Sequence, residues 1–178
     1  MPRRSILSAV ERESLLAFPD SNDEMIRHYT LSEADLSLIR QRRGDANRLG
    51  FAVQLCLLRH PGQGLLPESS VPVVLLHWVG RQLRTDPMCW SQYAEREETR
   101  REHLLELRAY LCVEPFGLAH YKQAVHATTE LAMQSDQGVV LAANLLDALR
   151  HQRIIIPTLD VSERVCAEAI TRANRRIY

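Results

Sequence analysis

The chain has 178 residues, of which 46% are hydrophobic, and its 22 basic and 22 acidic side chains give no formal net charge. This length suits one domain or two small ones and is sufficient for a hydrophobic core. The hydrophobic content is ordinary for a folded protein, so it excludes a disordered chain. No apolar run is long enough to cross a bilayer, and the first residues lead into a polar helix instead of a secretory signal. We therefore expect a cytoplasmic protein with no membrane partner. A neutral chain attracts no anionic partner by bulk charge, so any such partner must be recognised by a local cluster.

Capping residues predict short helices in the first forty residues. Three predicted capping boxes pair Ser8 with Glu11, Ser21 with Glu24 and Thr30 with Glu33. A fourth helix, from about residue 46 to residue 60, is apolar on nearly every face apart from Gln54, which is typical of a buried helix. Four short helices with tight connections predict a first module, residues 1–60, of helix-turn-helix character.

Turn-forming residues at 61–70 predict a linker to a second helical module, residues 71–178. Helices are predicted over residues 73–83, 86–94, 95–111, 118–135, 139–150 and from 160 or 162 to 178. In the helix over 95–111, we expect Leu104, Leu105, Leu107 and Leu111 to face inward. Residues 154–156 form the only β-like run, and with no partner run they are expected to be an extended connector that packs into the core. The predicted fold class is all-α, with two consecutive helical modules.

Outside one segment of the chain, the polar residues do not indicate a particular function. The four cysteines are Cys56, Cys89, Cys112 and Cys166. Because no pair has zinc or redox spacing, we interpret them as buried, reduced thiols. The sequence contains no Gly-rich phosphate loop, nucleophile elbow or His-rich metal motif. We therefore expect no catalytic residue, no metal and no cofactor, and a small helical enzyme has no candidate site.

The exception is a segment we call the basic joint, where the third and fourth predicted helices meet. It comprises Arg40, Gln41, Arg42, Arg43, Asn47 and Arg48. Gly44 is predicted to end the preceding helix and Asp45 to cap the next one. Residues 40–59 contain five Arg and one acidic residue, an excess that favours nucleic acid, since guanidinium groups bind phosphate and amides read base edges. The other interpretation is a solvated turn whose Arg side chains pair with carboxylates such as Asp35 or Asp45.

Two other groups of arginines extend this hypothesis. Arg3 and Arg4 form a basic N-terminal arm of the kind that enters a minor groove in some helix-turn-helix domains. On the helix over 95–111, Arg96, Arg100 and Arg101 are available for phosphates. That helix carries more acidic than basic residues, however, so a solvated face with salt bridges is the other interpretation.

Several stretches closely resemble the N-terminal region of transposases of the Tn-three family, the replicative, cointegrate-forming transposons. The stretches are residues 2–8, 26–29, 40–59, 93–104 and 166–178. The resemblance implies a helical region that binds the terminal inverted repeats of a transposon. It also implies that the three catalytic, metal-binding carboxylates lie in a distant C-terminal domain of the RNase H type. The chain would then be the non-catalytic part of a DDE-type DNA strand transferase.

The sequence thus predicts a DNA-binding module for transposition and DNA recombination, with double-stranded inverted repeats as its partner. The predicted DNA-binding residues are Arg3, Arg4, Arg40, Gln41, Arg42, Arg43, Asn47, Arg48, Arg96, Arg100 and Arg101. The alternative is a truncated regulatory module that associates with full-length transposase.

Overall fold

The computed structural model describes residues 5–65 and 70–177. Within these ranges the chain forms ten α-helices and no strand, which confirms the all-α class. The helices are α1 (Ala9–Leu15), α2 (Asn22–Tyr29), α3 (Glu33–Arg40), α4 (Asp45–Arg59), α5 (Val73–Leu83), α6 (Trp90–Ala94), α7 (Glu97–Leu111), α8 (Leu118–Ala132), α9 (Gly138–His151) and α10 (Leu159–Ile177). A 3-10 turn, Pro87–Cys89, precedes α6. None of the helices in the described part of the chain has the length and apolarity that a bilayer crossing requires.

The capping residues of the first three helices were predicted correctly at two starts and wrongly at the third. The box of Ser8 with Glu11 is confirmed, and of the predicted box of Ser21 with Glu24 the hydrogen bond from the Glu24 N–H to the Ser21 hydroxyl is present. The third box was assigned to the wrong residues, because it is formed by Ser32 with Asp35. The Thr30 hydroxyl instead donates to the Ile26 carbonyl at 2.6 Å, and so belongs to the end of α2.

The described residues gather into two compact units. The terminal unit contains the described parts of Met1–Ala17 and Val113–Tyr178, and the central unit is Phe18–Cys112. These bounds differ from the predicted modules 1–60 and 71–178, because α5, α6 and α7 pack against α4 inside the central unit. A division of DNA contacts between two modules stays a prediction, as does the helix-turn-helix character of α3 and α4.

The terminal unit is built on α10, which packs against α8 and α9. Ile154 and Ile156 are buried in its core, as expected for an extended connector. The connector does have a partner, which the sequence did not reveal: the Ile155 N–H donates to the Glu114 carbonyl at 2.8 Å, within an isolated parallel bridge.

The central unit is built around α4, and eleven of its fifteen residues are buried. The prediction of a buried helix is therefore confirmed. Because the middle of α4 is enclosed by α2, α3, α5, α6 and α7, the helix reaches the surface only near its ends, at Arg59 and at its first turn. That turn lies in the basic joint.

Two burial predictions were wrong. Leu105 is 60% exposed, whereas His103 and Leu107 are the buried residues of α7. Since successive helical residues are about 100° apart, Leu105 points away from the face shared by 103 and 107. All four cysteines are free, but Cys112 is exposed and Cys89 is half-buried. Cys112 lies beyond the last turn of α7 in a left-handed conformation, φ 53°, which places it outside the helix core.

Candidate nucleic-acid interface

The turn between α3 and α4 depends on Gly44. This residue has φ 85° and ψ 154°, a conformation that L side chains rarely adopt, and it is the N-cap of α4. The prediction of Asp45 as the cap was wrong, because Asp45 is already the first helical residue. Gly44 provides no side-chain cap. The first turn of α4 therefore starts without the usual hydroxyl or carboxylate partner for its N–H groups.

Three residues of the basic joint point into solvent. Arg40, Gln41 and Arg43 are exposed. Among the residues that the structure describes, no carboxylate forms an ion pair with Arg40 or Arg43. Their guanidinium N–H donors therefore remain available for an external acceptor.

Arg42 and Arg48 are held by internal contacts. The Arg42 Nη1 donates to Glu106 Oε1 of α7 at 2.6 Å, its guanidinium carbon lies 4.9 Å from the Phe51 ring centroid, and its side chain is only 15% exposed. Arg48 Nε donates to the Arg42 carbonyl at 2.9 Å. Both arginines thus stabilise the turn, and a DNA contact through either of them remains a prediction.

Asn47 joins residues that are distant in sequence. Its Nδ2 donates to the Arg43 carbonyl at 3.0 Å, and its Oδ1 accepts from Arg96 Nη1 at 3.2 Å. Arg96, which precedes α7, is therefore brought next to the start of α4. The structure places Arg43, Asn47 and Arg96 on one continuous surface, although the sequence separates Arg96 from the joint by some fifty residues.

The other predicted arginines lie in different environments. Arg101 is exposed and donates to Glu97 at 2.6 Å. Arg100 is half-buried, and its backbone carbonyl accepts from Gln54 at 3.1 Å. Arg3 and Arg4 lie outside the described residues.

A buried polar network lies beneath this surface. Gln54 Nε2 donates to Tyr93 Oη at 2.6 Å, and Tyr93 Oη lies 3.0 Å from His103 Nδ1. Burial raises the pKa of Tyr93 to about 12, while burial and the nearby Arg42 lower the pKa of His103. The Tyr93 hydroxyl donates a hydrogen bond to the neutral His103 ring, so the network fixes α4, α6 and α7 against each other. The sequence drew attention to Gln54 as the one polar residue in an apolar helix, but gave no sign of its partner His103.

A second network, which sequence reasoning missed, ties α3 to α4 and α7. Asp35 accepts from Arg59 Nη1 at 2.6 Å, from Arg59 Nη2 at 2.8 Å and from the Tyr110 hydroxyl at 2.8 Å. Burial alone would raise the pKa of Asp35, but the hydrogen bonds from Arg59, the Ser32 N–H and Tyr110 outweigh it and hold that pKa far below its usual value. The Asp35 carboxylate is therefore paired with Arg59, at the end of α4, and forms no ion pair with Arg40 or Arg43.

Carboxylates, cysteines and histidines do not converge into a metal-binding group of three anywhere in residues 5–65 and 70–177. What the central unit does present is a surface of arginine and amide side chains at the start of a buried helix, held from below by two hydrogen-bonded networks.

Comparison with known proteins identifies the class to which this all-α chain belongs. It is a member of the family described as a domain of unknown function, DUF4158, whose model matches residues 6–169.

The chain is also similar over its whole length to the N-terminal part of Tn-three-family transposases. It is 58% identical to the transposase for transposon Tn501 of Pseudomonas aeruginosa. It is 61% identical to the transposase for transposon Tn3926 and 59% identical to that for Tn21, both of Escherichia coli. In each case all of this chain is covered, and it spans 18% of the length of the relative. The resemblance seen in the sequence is confirmed.

Proposed function

We propose that the chain binds the terminal inverted repeats of a transposon, as the non-catalytic N-terminal part of a transposase. The observation that carries the proposal is the surface at the start of α4. There Arg40 and Arg43 are exposed with no carboxylate partner among the described residues, and Arg96 is tied to Asn47. Duplex DNA supplies the acceptors that such a surface lacks. In this role the strand-transfer chemistry belongs to the much longer remainder of the transposase.

The contacts within the basic joint support different roles for its residues. In our proposal, Arg40, Arg43 and Arg96 contact phosphates. Asn47, which keeps one amide N–H after its two hydrogen bonds, reads a base edge beside them. Arg42 and Arg48 act mainly by holding the turn in shape, since their guanidinium groups already have partners inside the central unit.

Arg43→Ala is expected to weaken binding to all duplexes by the same factor and to reduce the salt dependence. Removing one phosphate contact lowers the slope of log affinity against log salt by about 0.9 for B-form DNA. Mobility-shift titrations at several salt concentrations, with a transposon-end duplex and a scrambled duplex of equal length, measure both effects.

The matched control for Arg43→Ala is Arg27→Ala, which removes an exposed arginine from α2 in the same unit. Its slope is expected to equal that of the wild type. Equal slopes for all three proteins would remove Arg43 from the interface. A wild type that binds neither duplex, yet co-purifies with full-length transposase after nuclease treatment, would replace the proposal with the regulatory alternative.

Asn47→Ala is expected to reduce discrimination between the transposon-end duplex and the scrambled duplex. A good base contact contributes about 1–3 kcal/mol of discrimination, so the ratio of the two affinities should fall by between about 5-fold and about 140-fold. Competition titrations give this ratio directly.

Arg96→Ala tests whether Asn47 acts only by orienting Arg96. If it does, both variants should lose affinity for the two duplexes equally and leave the ratio unchanged. A lower ratio in Asn47→Ala alone assigns the base contact to the amide.

A further inference from the structure

The terminal unit contains a groove between its N-terminal segment, α8 and one face of α10. The groove has a volume of about 630 Å³. The lining residues of α10 include Arg164, Glu168, Thr171, Arg172 and Arg175. Their spacing of three and four places them along a single helix face. All the residues that line the groove belong to the terminal unit.

Most of the groove's polar side chains are already paired. Glu163 accepts from the Ser5 hydroxyl, from Arg12 and from the Ile6 N–H, the last at 2.6 Å. Arg12 also pairs with Asp160. At this end of the groove, the carboxylates of Glu163 and Asp160 are therefore already paired with groups of residues 5–12.

The middle of the groove is paired as well. Glu168 accepts from the Tyr121 hydroxyl at 2.8 Å and from Arg172 at 2.6 Å. The Thr171 hydroxyl donates to the Ala167 carbonyl at 2.9 Å. The hydroxyl protons and the carboxylate are therefore used within the unit.

Two arginines are left over. Arg164 and Arg175 are exposed, and within the described ranges neither forms an ion pair. The unused hydrogen-bonding capacity of the groove is therefore mainly guanidinium N–H. A complementary ligand must be an anion with several acceptor oxygens, and the planar guanidinium fork matches phosphate oxygens.

The distance between the two arginines selects the kind of anion. They are eleven residues apart, which is about 16 Å along a helix with a rise of 1.5 Å per residue. A single phosphate does not reach both ends. A DNA strand, which carries one phosphate about every 3.4 Å of helix axis, offers several over this length.

We propose that this groove is a second DNA-contacting surface of the chain, at which Arg164 and Arg175 bind the phosphate backbone of duplex DNA. This inference rests on the proposed function. It assigns to α10 a contact that carries no sequence information, since phosphates are the same in every duplex.

The test uses Arg164→Gln with Arg175→Gln in the full chain. Two lost phosphate contacts lower the slope of log affinity against log salt by about 1.8, and the affinity for transposon-end and scrambled duplexes falls by an equal factor. The control is Lys122→Gln with Arg176→Gln, which makes the same change in charge. Lys122 is exposed on α8, and Arg176 pairs with Glu130. Thermal unfolding of both double variants checks that they remain folded.

The control variant is expected to keep the wild-type slope. If the groove variant has the same slope as the control while Arg43→Ala lowers it, the groove inference is overturned and the basic joint stands. If the wild type binds no duplex, both fall. A polyglutamate peptide provides a further check. If it binds the wild type as tightly as the duplex does, and the groove variant no longer binds it, the groove is a carboxylate site and the DNA assignment is overturned.

Discussion

Asp35→Asn is expected to lower the free energy of unfolding of the central unit by about 3 kcal/mol at pH 7. Breaking a buried ion pair by removing one partner typically costs about 3–5 kcal/mol, and we take the lower end because the Arg59 side chain is 33% exposed and regains some hydration. Asp35 itself is 1% exposed. A loss of this size is a large fraction of the total stability of a small domain.

The cost follows from the donors that surround Asp35. Two N–H groups of Arg59, the Tyr110 hydroxyl and the Ser32 N–H all converge on its two oxygens. An amide at this position accepts through one oxygen and turns its own N–H groups towards other donors. It therefore leaves Arg59 without a counter-charge and loosens α3 from α4 and α7.

Denaturant unfolding measures the loss, and Glu97→Gln is the matched control. Glu97 pairs with Arg101 on the exposed face of α7 in the same unit, with both side chains more than half exposed. Such surface pairs contribute about 0.3–0.5 kcal/mol. Equal losses in the two variants would show that Asp35 is no more important than a surface carboxylate.

The pH dependence gives an independent check with a fixed sign. The folded-state pKa of Asp35 lies below its ordinary value of 3.8, so the unfolded chain takes up a proton first as the pH falls. The contribution of Asp35 is therefore fully present at neutral pH and is lost as the pH falls through and below 3.8. The difference between wild type and Asp35→Asn should be constant from pH 7 to about pH 5, and should narrow below pH 4.

Local signals account for how much of the fold could be predicted. Capping hydroxyls, prolines and apolar periodicity act within a few residues, so helix order and the burial of α4 were predicted from sequence. The Thr30 assignment failed because two hydroxyls close together both fit a cap, and only the hydrogen bond from Thr30 to Ile26 decides between them. The extent of the compact units was beyond reach, because it depends on which helices pack against α4.

The candidate site shows the same limit more sharply. The charge excess between residues 40 and 59 is visible in the sequence, and so is the glycine turn. The sequence does not show that Arg42 meets Glu106, or that Asp35 takes Arg59 and not an arginine of the joint. These pairings join residues 64 and 24 positions apart. They decide which guanidinium groups remain for a partner, so residue roles within the joint required the structure.

Gly50→Ala is expected to destabilise the central unit by about 3–4 kcal/mol, the combined cost of overpacking and of a disrupted buried hydrogen bond. A Cβ at position 50 would lie 2.1 Å from the Tyr93 ring carbon Cδ1. The Tyr93 ring is fully buried and stacks on His103. Its hydroxyl is hydrogen-bonded to both Gln54 and His103. The ring cannot move away without breaking those contacts. The measurement is again denaturant unfolding, with Gly64→Ala as the control, because a Cβ there meets no described atom within 4 Å.

The cause is isolated by repeating the substitution after the ring has been removed. In a Tyr93→Ala background the space beside position 50 is open, and an interior helical alanine is favoured over glycine by about 1 kcal/mol. The effect of Gly50→Ala on the free energy of unfolding should therefore change, from strongly destabilising in the wild type to neutral or stabilising in the Tyr93→Ala background. An equal loss in both backgrounds would mean that the glycine is required for some reason other than the approach of Tyr93. A reversal would establish that α4 carries a glycine so that Tyr93 can reach Gln54, which holds α6 and α7 beside the helix that presents the basic joint.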